Sequence, residues 1–344
     1  MFSDNSKISF GQLAAILFLA AFSSGMLFLP RLLVEQVGQS APLWAVFMGA
    51  LSGIWAVALT LLCRSTPFFV LLQFTFGRKI GRILAVFIGL RLFFVAALEI
   101  RFTAEATQQI LLPQTPIWAL SGVLVLLAWI FARTELEGVA RAAEICGMVV
   151  FLFFIFTFLF AAAQALPMGQ MPDWPQQMPR SRALVLFPSL LLLFFLPGRT
   201  VSVSKRGLFF LYLAVGIALS AICWLCLAFF GTMGTAGRLL PTISALGRVS
   251  GTGLFLSGTE GLLLFVWMSG SMFFSGLCLH FGTRLFWGGS RGAILSAGLV
   301  WAIAALTQKN GFLLQDTWCG PLDLLLLIGL PLLLWIFRKK EDCQ

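Results

Sequence analysis

Apolar runs of about twenty residues recur along the whole sequence, and a run of that length crosses the hydrocarbon core of a bilayer as a helix. Such runs lie near 8–35, 41–63, 79–112, 116–133, 137–165, 182–198, 206–231, 254–286, 291–308 and 320–337. Of the 344 residues, 60% are hydrophobic and 10% charged, whereas soluble domains hold roughly 45–50% and 25%. The chain therefore reads as an all-α polytopic membrane protein with ten transmembrane helices. Its formal net charge is +10, but the basic residues stand singly or in short groups between apolar runs. No basic groove for nucleic acid is expected.

An even number of spans returns both ends to one side of the membrane. Of the 23 lysines and arginines, fifteen then fall on one side and six on the other, with Arg91 and Arg101 inside a span. By the positive-inside rule both termini are expected in the cytoplasm. No small-residue cleavage site follows the first apolar run closely, so that run is read as a retained span and not as a signal peptide.

The polar linker "LPMGQMPDWPQQMPRSR" divides one transmembrane domain (1–344) into five-span halves, 1–165 and 182–344. An odd number of spans per half forces opposite orientations, which permits an inverted 5+5 repeat. Transporters of that kind bind substrate at mid-membrane, where the first helix of each half is interrupted and backbone N–H and C=O groups are freed. The first half offers Ser23-Ser24-Gly25, about sixteen residues into span 1, before an apolar run ending at Pro30-Arg31. The second offers Pro188-Ser189 in "ALVLFPSLLLLFFLPGRT", where proline removes an N–H and disfavours helix at the residue before it. Both halves thus begin with an interrupted helix. The plainer alternative stays open: a packing notch at Ser-Ser-Gly and a simple kink in span 6.

From these residues on, the chain resembles the spore germination permease family, the B subunits of bacterial spore germinant receptors. The resemblance is carried by "ISFGQL" (Ile8, Ser9, Gln12), "GMLFLPR" (Gly25 to Arg31), "GVARAAEI" (Gly138, Arg141, Glu144) and the stretch from Pro241 through Glu260 to Trp267. It implies the amino acid–polyamine–organocation superfamily and its LeuT-like fold, with discontinuous helices 1 and 6. It also implies an A-type subunit and a C-type lipoprotein subunit as partners, in the inner membrane of the endospore. Two positions depart from the family pattern. Ser189-Leu190-Leu191 stands where a Gly-Phe-Glu-like element is common, and Gly258 stands where an arginine often precedes the span 8 glutamate.

Charge inside a span is costly and is usually functional or paired. Span 3 holds Arg91, Glu99, Arg101 and Glu105. Arg101 and Glu105, four apart, are expected to pair along one helix face. Arg91 lies about 18 Å along the helix from Lys79 at ~1.5 Å per residue, too deep for comfortable snorkelling. It is expected to be shielded and paired, with Glu99 or a neighbouring helix. Glu144 is expected to pair with Arg141, and Glu260, at the start of span 8, suits a helix N-terminus and is kept as a site candidate.

The expected ligand is a small germinant, with an amino acid as the natural case. The N–H groups after the span 1 break, with the hydroxyls of Ser23 and Ser24, would hold its carboxylate. Freed carbonyls around Phe187, Pro188 and Ser189 would accept from its ammonium, and Phe94 is a candidate wall. No cofactor is expected. Seven cysteines lie mostly in apolar runs, and the sole histidine, His280, completes no metal-ligand set. Cys223 and Cys226 form a C-x-x-C within a lipid-length helix, where packing is favoured over redox chemistry. Without a catalytic constellation or phosphate loop, the chain is not expected to be an enzyme. Two functions remain: a ligand-sensing receptor subunit that triggers germination, or a proton- or sodium-coupled amino acid transporter using the same pocket.

The topology is open to direct test. A cysteine placed in the 166–181 linker should react with an impermeant thiol reagent applied from outside, and one placed after Arg338 should not. The reverse labelling pattern would defeat the assignment.

Overall fold

The computed structural model describes residues 7–63, 68–165, 188–197, 200–238, 240–250, 259–287, 292–307 and 325–341. The first helix, α1 (Phe10–Met26), opens with a capping box: Gln12 N donates to Ser9 Oγ at 3.2 Å, and Ser9 N donates to Gln12 Oε1 at 3.0 Å. Two of the orphan donors at the helix start are thereby satisfied within the chain. α2 (Leu29–Val37) follows after Leu27 and Phe28, and a 3₁₀ turn, Gly38–Ser40, leads into α3 (Ala41–Leu62). α4 (Phe68–Ile110) is interrupted at Gly77, whose φ of 79° lies in the region that favours glycine. α5 (Ile117–Arg133) and α6 (Leu136–Ala165) complete the first five spans.

The second part begins with a 3₁₀ segment, Pro188–Phe194, then α7 (Lys205–Ala236), α8 (Pro241–Ser250), α9 (Thr259–Trp287) and α10 (Ala293–Leu306). A π-helical turn, Leu325–Gly329, runs into α11 (Leu330–Glu341). Among the described residues, five stretches are long and apolar enough to cross a membrane: Leu29–Leu62, Phe68–Ile110, Leu136–Ala163, Lys205–Ala236 and Leu264–Trp287. Phe10–Met26, Ile117–Arg133, Ala293–Leu306 and Leu325–Ile336 are shorter apolar helices. Span 6 is represented by the 3₁₀ segment alone. The all-α polytopic fold expected from hydropathy is the fold observed, with spans 1 and 6 discontinuous.

Packing between the two parts centres on two helix pairs, α3 with α7 and α4 with α9. The first depends on Gly49 and Gly216: a Cβ on Gly49 would lie 2.7 Å from the Gly216 Cα, and one on Gly216 would lie 2.8 Å from the Gly49 Cα. In a bilayer helices gain no hydrophobic advantage by associating, so close backbone approach of this kind supplies the attraction. Large apolar side chains point outward on α5, α6 and α10, among them Leu126, Ile130, Phe151, Leu159 and Ile294. Such a surface suits lipid.

Where regular helix stops, distant side chains complete the backbone. Trp55 Nε1 of α3 donates to Leu327 O in the π turn at 2.6 Å. The chain before α1 is held to the stretch after the 3₁₀ segment, with Val201 N donating to Ile8 O at 3.1 Å. Both contacts join residues of the first half to residues of the second. Cys223 and Cys226 are buried free thiols.

Candidate binding site at the interrupted helices

Pro30 stands four residues after Met26. In an unbroken helix the N–H of residue 30 would donate to Met26 O, but proline has no N–H and its ring crowds that carbonyl. The helix accordingly lapses at Leu27 and Phe28. Their dihedrals, φ −83°, ψ −40° and φ −107°, ψ −30°, stay near helical values, so the interruption is a loss of hydrogen bonding more than a sharp bend.

Two residues from the second half attend the end of α1. Thr242 Oγ1, at the start of α8, donates to Met26 O at 2.7 Å. Trp267 Nε1 of α9 donates to Ser23 O, also at 2.7 Å. An unsatisfied carbonyl in hydrocarbon costs several kcal/mol, and Thr242 supplies the donor that Pro30 lacks. Ser23 also packs on Gly270 of α9, where a Cβ would come within 3.1 Å of the Ser23 Cβ. The packing-notch role and the break therefore coexist, one turn apart.

The break lies at Leu27–Phe28 and not at Ser23–Gly25. The physical reason is in the serine hydroxyls. Ser23 Oγ donates to Leu19 O at 2.5 Å, and Ser24 Oγ donates to Ala20 O at 2.8 Å. Such back-bonding keeps a serine inside a helix. It also spends the hydroxyl protons, leaving the two oxygens as acceptors. Toward a ligand they suit an ammonium better than a carboxylate.

The second irregular stretch lies close by. The 3₁₀ segment packs against α1, α3, α4 and α9, with Leu190 to Phe194 buried. Ser189 Oγ lies 3.2 Å from Tyr212 Oη of α7, both fully buried. Pro188 begins the segment, and Phe187 lies outside the described residues. On the other flank, the Phe28 ring packs on Phe102 of α4, with centroids 4.3 Å apart. The 3₁₀ segment thus packs on α1, the helix that carries Ser23, Ser24 and Gly25. Phe94 is engaged elsewhere, half-buried with the Arg91 guanidinium 5.8 Å from its ring centroid.

The intramembrane charges divide in the same way. Arg101 donates from Nε to Glu105 Oε1 at 2.7 Å, the pair expected from spacing, and from Nη1 to Ala304 O at 3.2 Å. Arg91 is buried, as its depth requires. Glu99 is buried too, but Ser271 of α9 lies 3.4 Å from its Oε2, in the place expected for Arg91. Arg141 pairs with Glu137 at 2.6 Å and not with Glu144, because a partner one full turn before it is as close on the helix surface as one after it. Glu144 is exposed, with its carboxylate beside Gly11 at the start of α1. Glu260 stands at the start of α9, and its side chain lies outside the described residues. Thr242, Tyr212, Thr103 and Ser271 were not singled out by the sequence. Proline's effect on the carbonyl four residues earlier would have placed the break correctly.

With this geometry in hand, the chain can be compared with known proteins. The family described as spore germination protein, Spore_permease, matches residues 7–286. The spore germination protein YndE of Bacillus subtilis (strain 168) is 27% identical over 154 residues, 43% of this chain and 41% of that relative. Among solved structures, Mhp1, a nucleobase-cation-symport-1 family transporter, in a closed conformation with bromovinylhydantoin bound, superposes with a TM-score of 0.65 at 16% identity, covering 95% of this chain and 80% of that one. The inward-facing conformation of Mhp1 gives 0.58, also at 16% identity, over 93% and 74% of the two chains. These structural matches show a shared transporter fold.

Replacing Thr242 by Val keeps the side-chain shape and deletes the donor to Met26 O. Leaving a buried acceptor unmet costs about 1–3 kcal/mol, so the purified Thr242→Val chain should unfold at lower temperature than wild type in a thermal melt, while Thr242→Ser should match wild type. Equal melting of all three would remove the repair role from Thr242.

Proposed function

The chain belongs to the spore germination protein (spore permease) family, and from that premise we propose that it is the ligand-sensing membrane subunit of a spore germinant receptor. It binds a small germinant, an amino acid, where the two interrupted helices meet, and it works with A-type and C-type subunits in the inner membrane of the endospore, with both termini cytoplasmic. The observation that carries this reading is the interruption of α1 at Leu27–Phe28, in a helix against which the buried 3₁₀ segment also packs. A site needs backbone groups that regular helix would consume, and these stretches supply them in the middle of the bundle.

The roles of the individual residues follow from their hydrogen bonds. The first turn of α2 turns its N–H ends, and the positive end of its dipole, toward the break and suits a carboxylate. Ser23 and Ser24, with their protons already committed, accept from an ammonium. Gly25 adds no side chain beside them, and Pro188 and Ser189 open the 3₁₀ segment that packs on α1. The reciprocal approach of Gly49 and Gly216 supports reading 1–165 and 182–344 as inverted repeats, since a two-fold relation brings matching helices together at matching residues. Ligand binding acts by favouring one arrangement of the bundle over another, and the partner subunits read the shift. The family and fold are those of a permease, and no enzymatic step is proposed. Coupled amino acid transport uses the same pocket and is separated from sensing by uptake of labelled amino acid into vesicles holding the chain alone.

Spores carrying Gly25→Leu should lose the germinant response, because a large side chain enters the buried turn before the break. Ser24→Ala removes one acceptor, and a net hydrogen bond of about 0.5–1.5 kcal/mol corresponds to at most roughly a tenfold loss of sensitivity. Immunoblots of the inner membrane separate binding from assembly. An unchanged dose–response curve for Gly25→Leu spores with normal protein levels would move the ligand site elsewhere.

A further inference from the structure

Three close oxygen–oxygen contacts meet in the buried interface of α4 and α9. Thr103 Oγ1 lies 2.7 Å from Glu99 O, Thr103 Oγ1 lies 2.9 Å from Ser271 Oγ, and Ser271 Oγ lies 3.4 Å from Glu99 Oε2. The two contacts shorter than 3 Å need a proton between their oxygens, and each hydroxyl has only one to give. The carbonyl of Glu99 is an acceptor only, so the Thr103 proton goes there. Ser271 must then donate to Thr103, which leaves its oxygen facing the Glu99 carboxyl with no proton to offer. A hydrogen bond across the remaining 3.4 Å then takes its proton from Glu99 itself.

We propose that Glu99 is a proton-binding site at the α4–α9 interface, closed by Ser271 and Thr103 when the carboxyl is protonated and opened when these two helices separate. With the proton in place, the carboxyl O–H donates to Ser271 Oγ, Ser271 donates to Thr103, and Thr103 donates to the Glu99 carbonyl. The ring of donors is complete. Removing the proton leaves a buried carboxylate against a hydroxyl oxygen whose hydrogen points away, and that state favours separation of the helices and entry of water. Proton uptake and helix closure are thereby the same event.

The surroundings support a neutral carboxyl. Glu99 lies about 16 Å along the helix from Ile110 at ~1.5 Å per residue, near the middle of a hydrocarbon core about 30 Å thick. Its residue is 7% exposed. Among the described residues no cation lies within ion-pair distance of its carboxylate. On its own helix Arg101 is committed to Glu105 and Ala304 O, and Arg91 stands near Phe94. From α9, Cys278 is a buried free thiol, His280 turns Nδ1 to Ala132 O of α5, and Arg284 is exposed. From α5, Arg133 lies over Trp129. α10 and the 3₁₀ segment carry no ionisable side chain, and α11 carries them only in its last turn, from Arg338 to Glu341. The site goes beyond the germinant reading and does not depend on it.

Infrared spectroscopy of the full purified chain in lipid nanodiscs at neutral pH tests this directly, because a protonated carboxyl in apolar surroundings has its own C=O stretching band. Wild type should show the band, and Glu99→Gln, which keeps the shape of the neutral acid, should lack it. Ser271→Ala should retain the band at a shifted frequency, since the acid loses its acceptor, and this second variant keeps the test decisive if Glu99→Gln fails to fold. Absence of the band from wild type, or a band that neither substitution alters, overturns the proposal. Germinant dose–response curves take no part in this readout, so its failure and the failure of the receptor reading are separate results.

Discussion

The carbonyl of Met26 has no helical donor, because the residue four positions on is Pro30. In water such a carbonyl would be hydrated at little cost; within the bundle it must find a proton from protein. Thr242 gives that proton from 216 residues away. Pro30 separates α1 from α2, and this one hydrogen bond holds the start of α8 against the end of α1. Trp267, donating to Ser23 O a turn earlier, fixes α9 to the same helix end. The interruption is thus held open by its neighbours, and a site built on it inherits their positions.

Much of this was legible in the sequence, and the parts that were not have a common cause. Apolar length alone marked the spans, and local spacing foretold the Arg101–Glu105 pair, because that interaction closes within about one helical turn; the Ser9–Gln12 cap, equally local, went unread. The same local logic misjudged Ser23 and Ser24, whose hydroxyls satisfy their own helix and preserve it. Arg141 had acidic residues within reach on both sides, and spacing could not choose between Glu137 and Glu144. What no local pattern carries is the cross-bundle chemistry. Thr242 reaches Met26, Ser271 reaches Glu99 and Tyr212 reaches Ser189 through the fold, and a serine or threonine in an apolar run gives no sign of its partner.

Two polar clusters emerge inside an otherwise apolar bundle, and they share α9. One is the α1 interruption, attended by Trp267; the other is the Glu99 ring, closed by Ser271. Four residues separate Trp267 from Ser271, so both side chains lie along one face of the same helix. A displacement of α9 that loosened one would be felt at the other. In the proposed receptor role, this gives a short physical path between the proposed ligand site and the proposed proton on Glu99, with α9 as the element both would bias.

The central claim is that the interruption created by Pro30 is the ligand site. Equilibrium binding of a panel of radiolabelled L-amino acids to the purified chain in nanodiscs, wild type against Pro30→Ala, tests it most directly. Alanine restores the N–H that Met26 O lacks and lets α1 run on into α2. The account predicts that wild type binds at least one member of the panel and that Pro30→Ala loses that binding while remaining folded by thermal melt. Binding of equal affinity to both chains, or to neither, would contradict it.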